Sequence, residues 1–544
     1  MNYWCHAPRV AVLALLPVNL LAATLPPAID PAGQNQDLMR REEKIQQREQ
    51  AEKKPVLIDE KPVATSTDDG AFFVLKSVRF TKSEILNADD LRKVVGPYLG
   101  KKTRLSDLNK LVAGINAAYR EKGIFTAAAL LPPQDINGGT VIVRLVEGKL
   151  GELVVEGNDY VPDTYVRDWI RNVQGEQLSD MTLLESDILQ FNRVNDSRLQ
   201  AELRAGKGFG LTDVVILVDE VAQNNFQLFV DNYGYESSGE NEVGGLYRRY
   251  GLFNGSDRAL VYGLVTDGNI AFSAGYNTPV RSTRWRVGSS VSLNQTEITS
   301  GDFENVLVNG DSSSITLDAS WLAYSTPNFW LNAVSSAFYS DSETTVADEI
   351  ISDYSITKLN TGAQFTWYGA GWQWTGRQLV SWVSTKNKAV VDNDQAFMVL
   401  SGDTTAFFRP GNTNGYGLLQ LDYQYTAEDS IPGAVAYSLG GAASVRGYKA
   451  GVVSGDSAYQ ISLEAHYTGW RAFGGDVDSF VFYDAGEVYS TSPSQMVQSV
   501  GVGLGWHNAA GLSADFTVAN AIDNVVPDQD DVVFYGRFSW KWSK

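Results

Sequence analysis

Leu439-Gly-Gly-Ala-Ala-Ser-Val-Arg-Gly-Tyr-Lys-Ala-Gly451 sets a single arginine, Arg446, among glycines and small residues. The run has neither helical nor strand periodicity and predicts a loop. Directly after it, Tyr459, Ile461, Leu463, Ala465 and Tyr467 alternate with Gln460, Ser462, Glu464, His466 and Thr468. A period of two is the mark of a strand with one apolar and one wet face. Further on, Phe482-Tyr-Asp-Ala-Gly486 places a carboxylate, Asp484, inside another strand-like run. A charge in a strand otherwise suited to lipid is tolerable only where it faces a wet or paired interior. A guanidinium is a planar, always-charged partner with several donors, which makes Arg446 a candidate for that pairing.

Working outward, the chain of 544 residues is too long for one ordinary domain. Its 50 Gly, 25 Tyr, 23 Phe and 13 Trp, with a mean hydropathy of -0.18, suit many strands whose faces alternate. Beyond the N terminus no uninterrupted apolar run approaches the roughly 18 residues a membrane helix needs, so a membrane-spanning form would have to be a barrel. A formal net charge of -20 argues against nucleic acid as a partner, because phosphate binding needs a basic face. Only three His occur, one of them in the N-terminal segment, and His466 and His507 lack neighbours at metal-ligand spacing. With no Gly-x-Ser-x-Gly and no P-loop either, the expectation is no catalytic residue, no metal and no cofactor.

Residues 1–23 read as an export signal: Arg9 precedes the apolar run Val10 to Leu16, and the segment ends in the small residues Ala22 and Ala23. The only cysteine, Cys5, lies inside it, so its removal would leave no thiol for disulfides or metal sites. Residues 34–54 are rich in helix formers, yet Leu38, Met39, Ile45 and Ala51 are too few for a core face. A helix polar nearly all round must sit in water or inside something watery. Residues 55–71, with Pro55, Pro62 and a Ser/Thr/Asp/Gly run, read as an extended linker.

Two small α/β units follow, at 72–148 and 149–221. In the first, strand-like Phe73 to Phe80 precedes helices at Asp89 to Val95 and Ser106 to Lys122, then strands at Thr126 to Leu131 and Val141 to Val146. Ser106 is the expected N-cap of the longer helix, and Leu108, Leu111, Ile115 and Tyr119 form its apolar stripe. The order β-α-α-β-β recurs in the second unit. From 224 to 544 strand-like runs alternate with Gly, Asn, Asp and Ser turns. Roughly 320 residues at about 20 per strand and turn give about sixteen strands, an even number as a closed antiparallel barrel requires. The last run puts Phe534, Phe538, Trp540 and Trp542 on one side and Tyr535, Arg537, Ser539 and Lys541 on the other.

The V-R-G-Y loop and F-x-D-x-G strand, with Tyr119-Arg-Glu-Lys-Gly-Ile-Phe125, Leu131-Pro-Pro-Gln134 and Val146-Glu-Gly148 in order before them, resemble the outer-membrane transporters of two-partner secretion, the TpsB family. The likeness runs over nearly the whole mature chain, though Ala205 stands where the family usually has Pro. The resemblance implies a mainly β fold: a sixteen-stranded transmembrane antiparallel barrel preceded by two periplasmic POTRA domains, with residues 34–54 as a plug helix in the lumen. It further implies a lumen gate motif, Val445, Arg446, Gly447 and Tyr448, held by a barrel-wall motif, Phe482, Asp484 and Gly486. The implied partners are a large secreted exoprotein of the TpsA type, recognised through its N-terminal secretion domain, outer-membrane lipid, and the barrel-assembly machinery. Because small open sheets accept an extended segment at an edge, the partner-binding candidates are Ser106, Leu108, Leu111, Ile115, Tyr119, Phe125, Leu130 and Gln134. An assembly factor for other barrels and a passive porin are the alternative readings.

Overall fold

The computed structural model describes residues 30–51 and 72–544, except 84, 123–126, 133, 135, 137, 148, 172–180, 206–210, 302–303, 390–393, 412, 491–493 and 528. The expected export segment 1–23, the last expected helical residues 52–54, the linker 55–71 and the candidate Phe125 lie outside the described residues.

In the first unit the helix Ala88–Val95 starts at Asn87, whose side-chain oxygen accepts from the Asp89 and Asp90 N–H groups at 3.0 and 2.9 Å. Asp90 in turn accepts from the Asn87 N–H, closing a capping box. Lys122, 2.8 Å away, and that Asn87 N–H hold the Asp90 carboxyl below its usual range. The next helix, Leu105–Glu121, begins one residue before the expected Ser106. Its N-cap is Arg104, whose backbone N–H donates to Asp107 at 3.1 Å, so a carboxylate and not the serine hydroxyl takes up the free donor.

That helix lays Leu108, Leu111, Ile115 and Tyr119, each at most 1% exposed, onto a sheet of order Ser77–Phe80, Thr140–Glu147, Ala127–Leu130. The middle strand runs parallel to the first and antiparallel to the last. The second unit repeats the arrangement with Lys149–Glu156, Leu211–Asp219 and Arg198–Ala205, under helices Asp163–Trp169 and Met181–Val194. Trp169, Phe191, Ile170 and Ile216 fill its core, and side chains of this size contribute about 1.5–3 kcal/mol each when fully buried.

From Asn224 onward sixteen antiparallel strands close into a ring, the last, Val532–Ser543, pairing with the first, Asn224–Asp231. The expected alternation holds on the wall: Leu463 and Tyr467 point outward and are exposed, while Gln460, Glu464 and His466 point inward and are buried. In the last strand Phe534, Phe538, Trp540 and Trp542 face out and Tyr535, Arg537 and Ser539 face in. Among the described residues no helix is long and apolar enough to cross a membrane; the apolar exterior belongs to the strands.

The second unit is docked on the short turns at one end of the ring. Asp196 accepts from Arg286 at 2.7 Å and from Arg258 at 3.3 Å, and the Arg193 guanidinium lies 3.6 Å over the Trp330 ring. The turn glycine Gly251 leaves room for the Tyr160 ring, where a Cβ would come within 2.4 Å.

Helix Pro31–Ala51 lies among inward-facing wall residues drawn from opposite sides of the ring. Its start meets the sixth and eighth strands, where Gly310 makes room for Pro31 and Tyr354 bonds Asp30. Asp37 accepts from Tyr235 at 2.6 Å, and Leu38 packs with Phe229, Tyr262, Leu264 and Ala271. Arg41 pairs with Glu242 at 2.6 Å, Glu42 with Arg537 at 3.4 Å, and Lys44 with Asp422 at 3.2 Å. The polar surface that could not make a core is thereby matched to a polar interior.

Candidate functional site

Between the eleventh strand, Gly415–Thr426, and the twelfth, Ser457–Ala472, the chain makes a long excursion away from the end bearing the second unit. It folds back into the ring through a short hairpin, Tyr437–Leu439 with Val453–Gly455. The wall makes space for it at Gly486, where a Cβ would sit 2.8 Å from Leu439. At the tip of the excursion is Arg446, 4% exposed, clasped to Asp484 of the thirteenth strand, which is 0% exposed.

The clasp is a fork. Arg446 Nε donates to Asp484 Oδ2 at 2.7 Å and Nη2 to Oδ1 at 2.8 Å, while the Arg446 backbone N–H reaches Oδ2 at 3.1 Å. Ser462 donates to Asp484 Oδ1 at 2.6 Å, and Glu464 supplies a second carboxylate 2.8 Å from Nη2. The guanidinium plane stands 3.5 Å over the Phe482 ring, so the first residue of the wall motif supports the cation through its π face. Paired, forked and stacked, the arginine meets the conditions under which burying a charge is tolerable.

The rest of the loop motif anchors the tip. Val445 and Tyr448 are buried with Leu439, Val488 and Val497. Tyr448 Oη donates to the Gln498 carbonyl at 2.7 Å, and Tyr535 on the last strand donates to the Tyr448 carbonyl at 2.8 Å. Gly447 has φ 92 and an added Cβ would lie 3.2 Å from the Ala521 nitrogen. Gly447→Ala is therefore expected to strain the tip by about 1–3 kcal/mol and loosen the loop from its seat, seen as faster proteolysis within 440–451, with the barrel still heat-modifiable on gels. Wild-type resistance to proteolysis in that variant would show that the tip geometry is not critical.

Glu464 and its neighbours did not emerge as site residues from the sequence, although they stand on the wet face of the strand after the loop. His466 Nε2 lies 2.8 Å from Glu464, and its Nδ1 is 3.0 Å from Asp478. Glu464 and His466 stand two residues apart on one face of the twelfth strand, and the register with the thirteenth adds Asp478.

The partner-binding candidates separate. Leu108, Leu111, Ile115 and Tyr119 are sealed inside the first unit, which corrects their reading as a partner surface: an amphipathic stripe covers its own sheet first. Ser106 is half-buried in the first helical turn. Leu130 is 48% exposed beside Ile142 at 47%, and the Gln134 side chain bonds both the Ile142 N–H, at 2.7 Å, and its carbonyl, at 2.8 Å. Among the described residues no group of three or more His, Cys, Asp or Glu could hold a metal ion.

Residues 73–148 match the family described as POTRA domain, ShlB-type, and residues 210–508 match that described as haemolysin secretion/activation protein ShlB/FhaC/HecB. The chain is 24% identical over 504 residues to the heme/hemopexin transporter protein HuxB of Haemophilus influenzae, covering 87% of this chain and 88% of that protein. It is 23% identical over 547 residues to the outer membrane transporter CdiB of Dickeya dadantii, covering 95% and 96%. The solved structure of CdiB from Escherichia coli is similar with a TM-score of 0.66 at 20% identity, over 96% of this chain and 100% of that one. CdiB from Acinetobacter baumannii gives 0.63 at 17% identity, over 94% and 98%. With the family match spanning more than half of the sequence on a barrel of this topology, the chain belongs to the haemolysin secretion/activation family ShlB/FhaC/HecB, as an outer-membrane barrel transporter with periplasmic POTRA domains.

Proposed function

We propose that this transporter binds an unfolded, β-rich exoprotein of the TpsA type through its POTRA domains and passes it through the barrel to the cell surface, driven by binding and folding of the cargo and not by nucleotide hydrolysis. On this reading residues 1–23 direct export, 34–54 plug the lumen and 55–71 form a linker long enough for the helix to leave and return. Residues 72–148 capture cargo, 149–221 dock on the pore, and 224–544 form it. Arg446 and Asp484 are the gate element and its wall partner.

The observation that supports this most is the polar character of the helix Pro31–Ala51 and of the wall residues it meets. The helix is fastened by side-chain pairs such as Arg41–Glu242 and Lys44–Asp422, with Leu38 as its main apolar anchor. Those pairs are largely buried, and the desolvation of both charges offsets most of their attraction, so the net hold on the helix is weak and it can be exchanged for a passing polypeptide without dismantling the wall. A passive porin would have no use for two α/β units docked on its turns.

Deleting residues 31–51 tests the plug. The barrel should insert, and its ion conductance in planar bilayers should become several-fold larger or steadier, while export falls less than on loss of the first POTRA domain. Unchanged conductance would put the helix outside the conducting path. Cargo identity is best sought next door, in a neighbouring gene for a very large repetitive secreted protein.

A further inference from the structure

The ring of His466 is held on four sides. It stacks between Tyr416 of the eleventh strand, 4.3 Å between centroids, and Phe480 of the thirteenth, 4.8 Å. In its own plane both nitrogens meet carboxylates: Nε2 is 2.8 Å from Glu464 Oε2, and Nδ1 is 3.0 and 3.1 Å from the two oxygens of Asp478. A neutral imidazole carries one N–H and one lone pair, so in this seat its bare nitrogen would face an ionised oxygen. Only the doubly protonated ring satisfies both neighbours. Asp478 also accepts from the Tyr416 hydroxyl at 2.6 Å, and Glu464 gives its other oxygen to Arg446 at 2.8 Å. The ring thus stands one carboxylate away from the loop arginine.

We propose that His466 is a positioning residue for the gate: its second proton holds Glu464 in place for Arg446, so that the loop is locked most firmly when the ring is charged and is released more readily as pH rises. The inference rests on reading the Arg446 loop as the gate. Without the second proton the imidazole no longer offsets the charge of Glu464 and Asp478, and a ring bared at Nε2 pushes Glu464 away instead of drawing it in. The charged and titratable groups around the ring are Glu464 on its own strand, Asp478 on the thirteenth, Tyr416 with Arg409 5.4 Å from its ring on the eleventh-strand side, and Arg446 with Asp484 from the loop contact. Asp515 of the fifteenth strand is next to Asp478 across Gly505.

The test is single-channel recording of the full chain in planar bilayers from about pH 5.5 to about pH 9, a range that spans imidazole titration. Wild type should open more often towards high pH, by about tenfold across the range, the size of one lost hydrogen bond between charged groups. His466→Gln should open at a rate close to the wild-type high-pH value at every pH, and Asp478→Asn, which relieves the need for a second proton, should flatten the profile too. His507→Gln, at an exposed imidazole 3.9 Å from Asp476, should leave the wild-type profile intact. Heat-modifiable migration of each variant reports that the barrel is folded. If Arg446→Ala leaves conductance unchanged at all pH values, the gate reading itself is wrong. If Arg446→Ala opens the channel but both His466→Gln and Asp478→Asn keep the wild-type pH profile, the positioning role of His466 is overturned while the gate stands.

Discussion

Replacing Arg446 by alanine is expected to abolish export of the cognate exoprotein while the barrel still inserts and still migrates as a heat-modifiable band. The substitution leaves Asp484, 0% exposed, without its cation, and Glu464, 5% exposed, with His466 as its remaining charged partner. Breaking a buried ion pair by removing one partner costs about 3–5 kcal/mol, because the remaining charge is stranded, and less where lumen water reaches it. The loop relieves that cost by leaving its seat. Sixteen strands of backbone pairing remain, so the loss falls on the seat of the loop and not on the fold. Asp484→Ala should do likewise by stranding Arg446. The double variant should be no worse than either single one, a coupling and not a sum. Two results would sink this: export untouched by each single change, or a cysteine placed by Arg446→Cys labelled freely from outside intact cells.

Removal of residues 73–148 should abolish binding of the cargo's N-terminal secretion domain, measured with purified protein, by a factor of about a hundred or more if the domain supplies the main recognition surface. The place to look is narrower than the sequence suggests. The middle strand Thr140–Glu147 outruns its neighbour Ala127–Leu130, whose pairing reaches only Arg144. The backbone of Ile142 is left to Gln134, whose amide bonds it as an adjoining strand would. Leu130 and Ile142 lie exposed beside it. An extended cargo segment can take that position and cover both side chains, whereas the outer edge at Ala129 is already occupied by Asn116, which accepts its N–H at 2.6 Å. Retained affinity would move capture to the second domain or the barrel.

The strands were legible because lipid outside and water inside enforce a period of two, as in the run from Tyr459 to Tyr467. Arg446 and Asp484 were legible as a pair because a strand aspartate has so few tolerable environments. What the alternation does not carry is register. Glu464 and His466 read only as wet-face residues, and Asp478 comes opposite them through the pairing of Tyr467 with Ser479 and His466 with Phe480. The helix of 31–51 was legible as polar, but its partners, Glu242, Asp422 and Arg537, are hundreds of residues away along the chain and carry no local signal. The stripe Leu108 to Tyr119 misled for the opposite reason: the pattern was read correctly, and its face is taken up by the domain's own core.

The wall itself is uneven. The first strand spans 8 residues, and its outward apolar side chains are Phe226, Leu228 and Val230. Four steps along a strand cover about 14 Å, less still when tilted, against an apolar band of about 25 Å in barrels of this kind. The last strand beside the first carries outward Val532, Phe534, Phe538, Trp540 and Trp542, so the apolar band steps down abruptly on the first-strand side of the closure. The cost of such a mismatch depends on acyl length, so the surrounding lipid, through its thickness, bears on how firmly that closure is held shut.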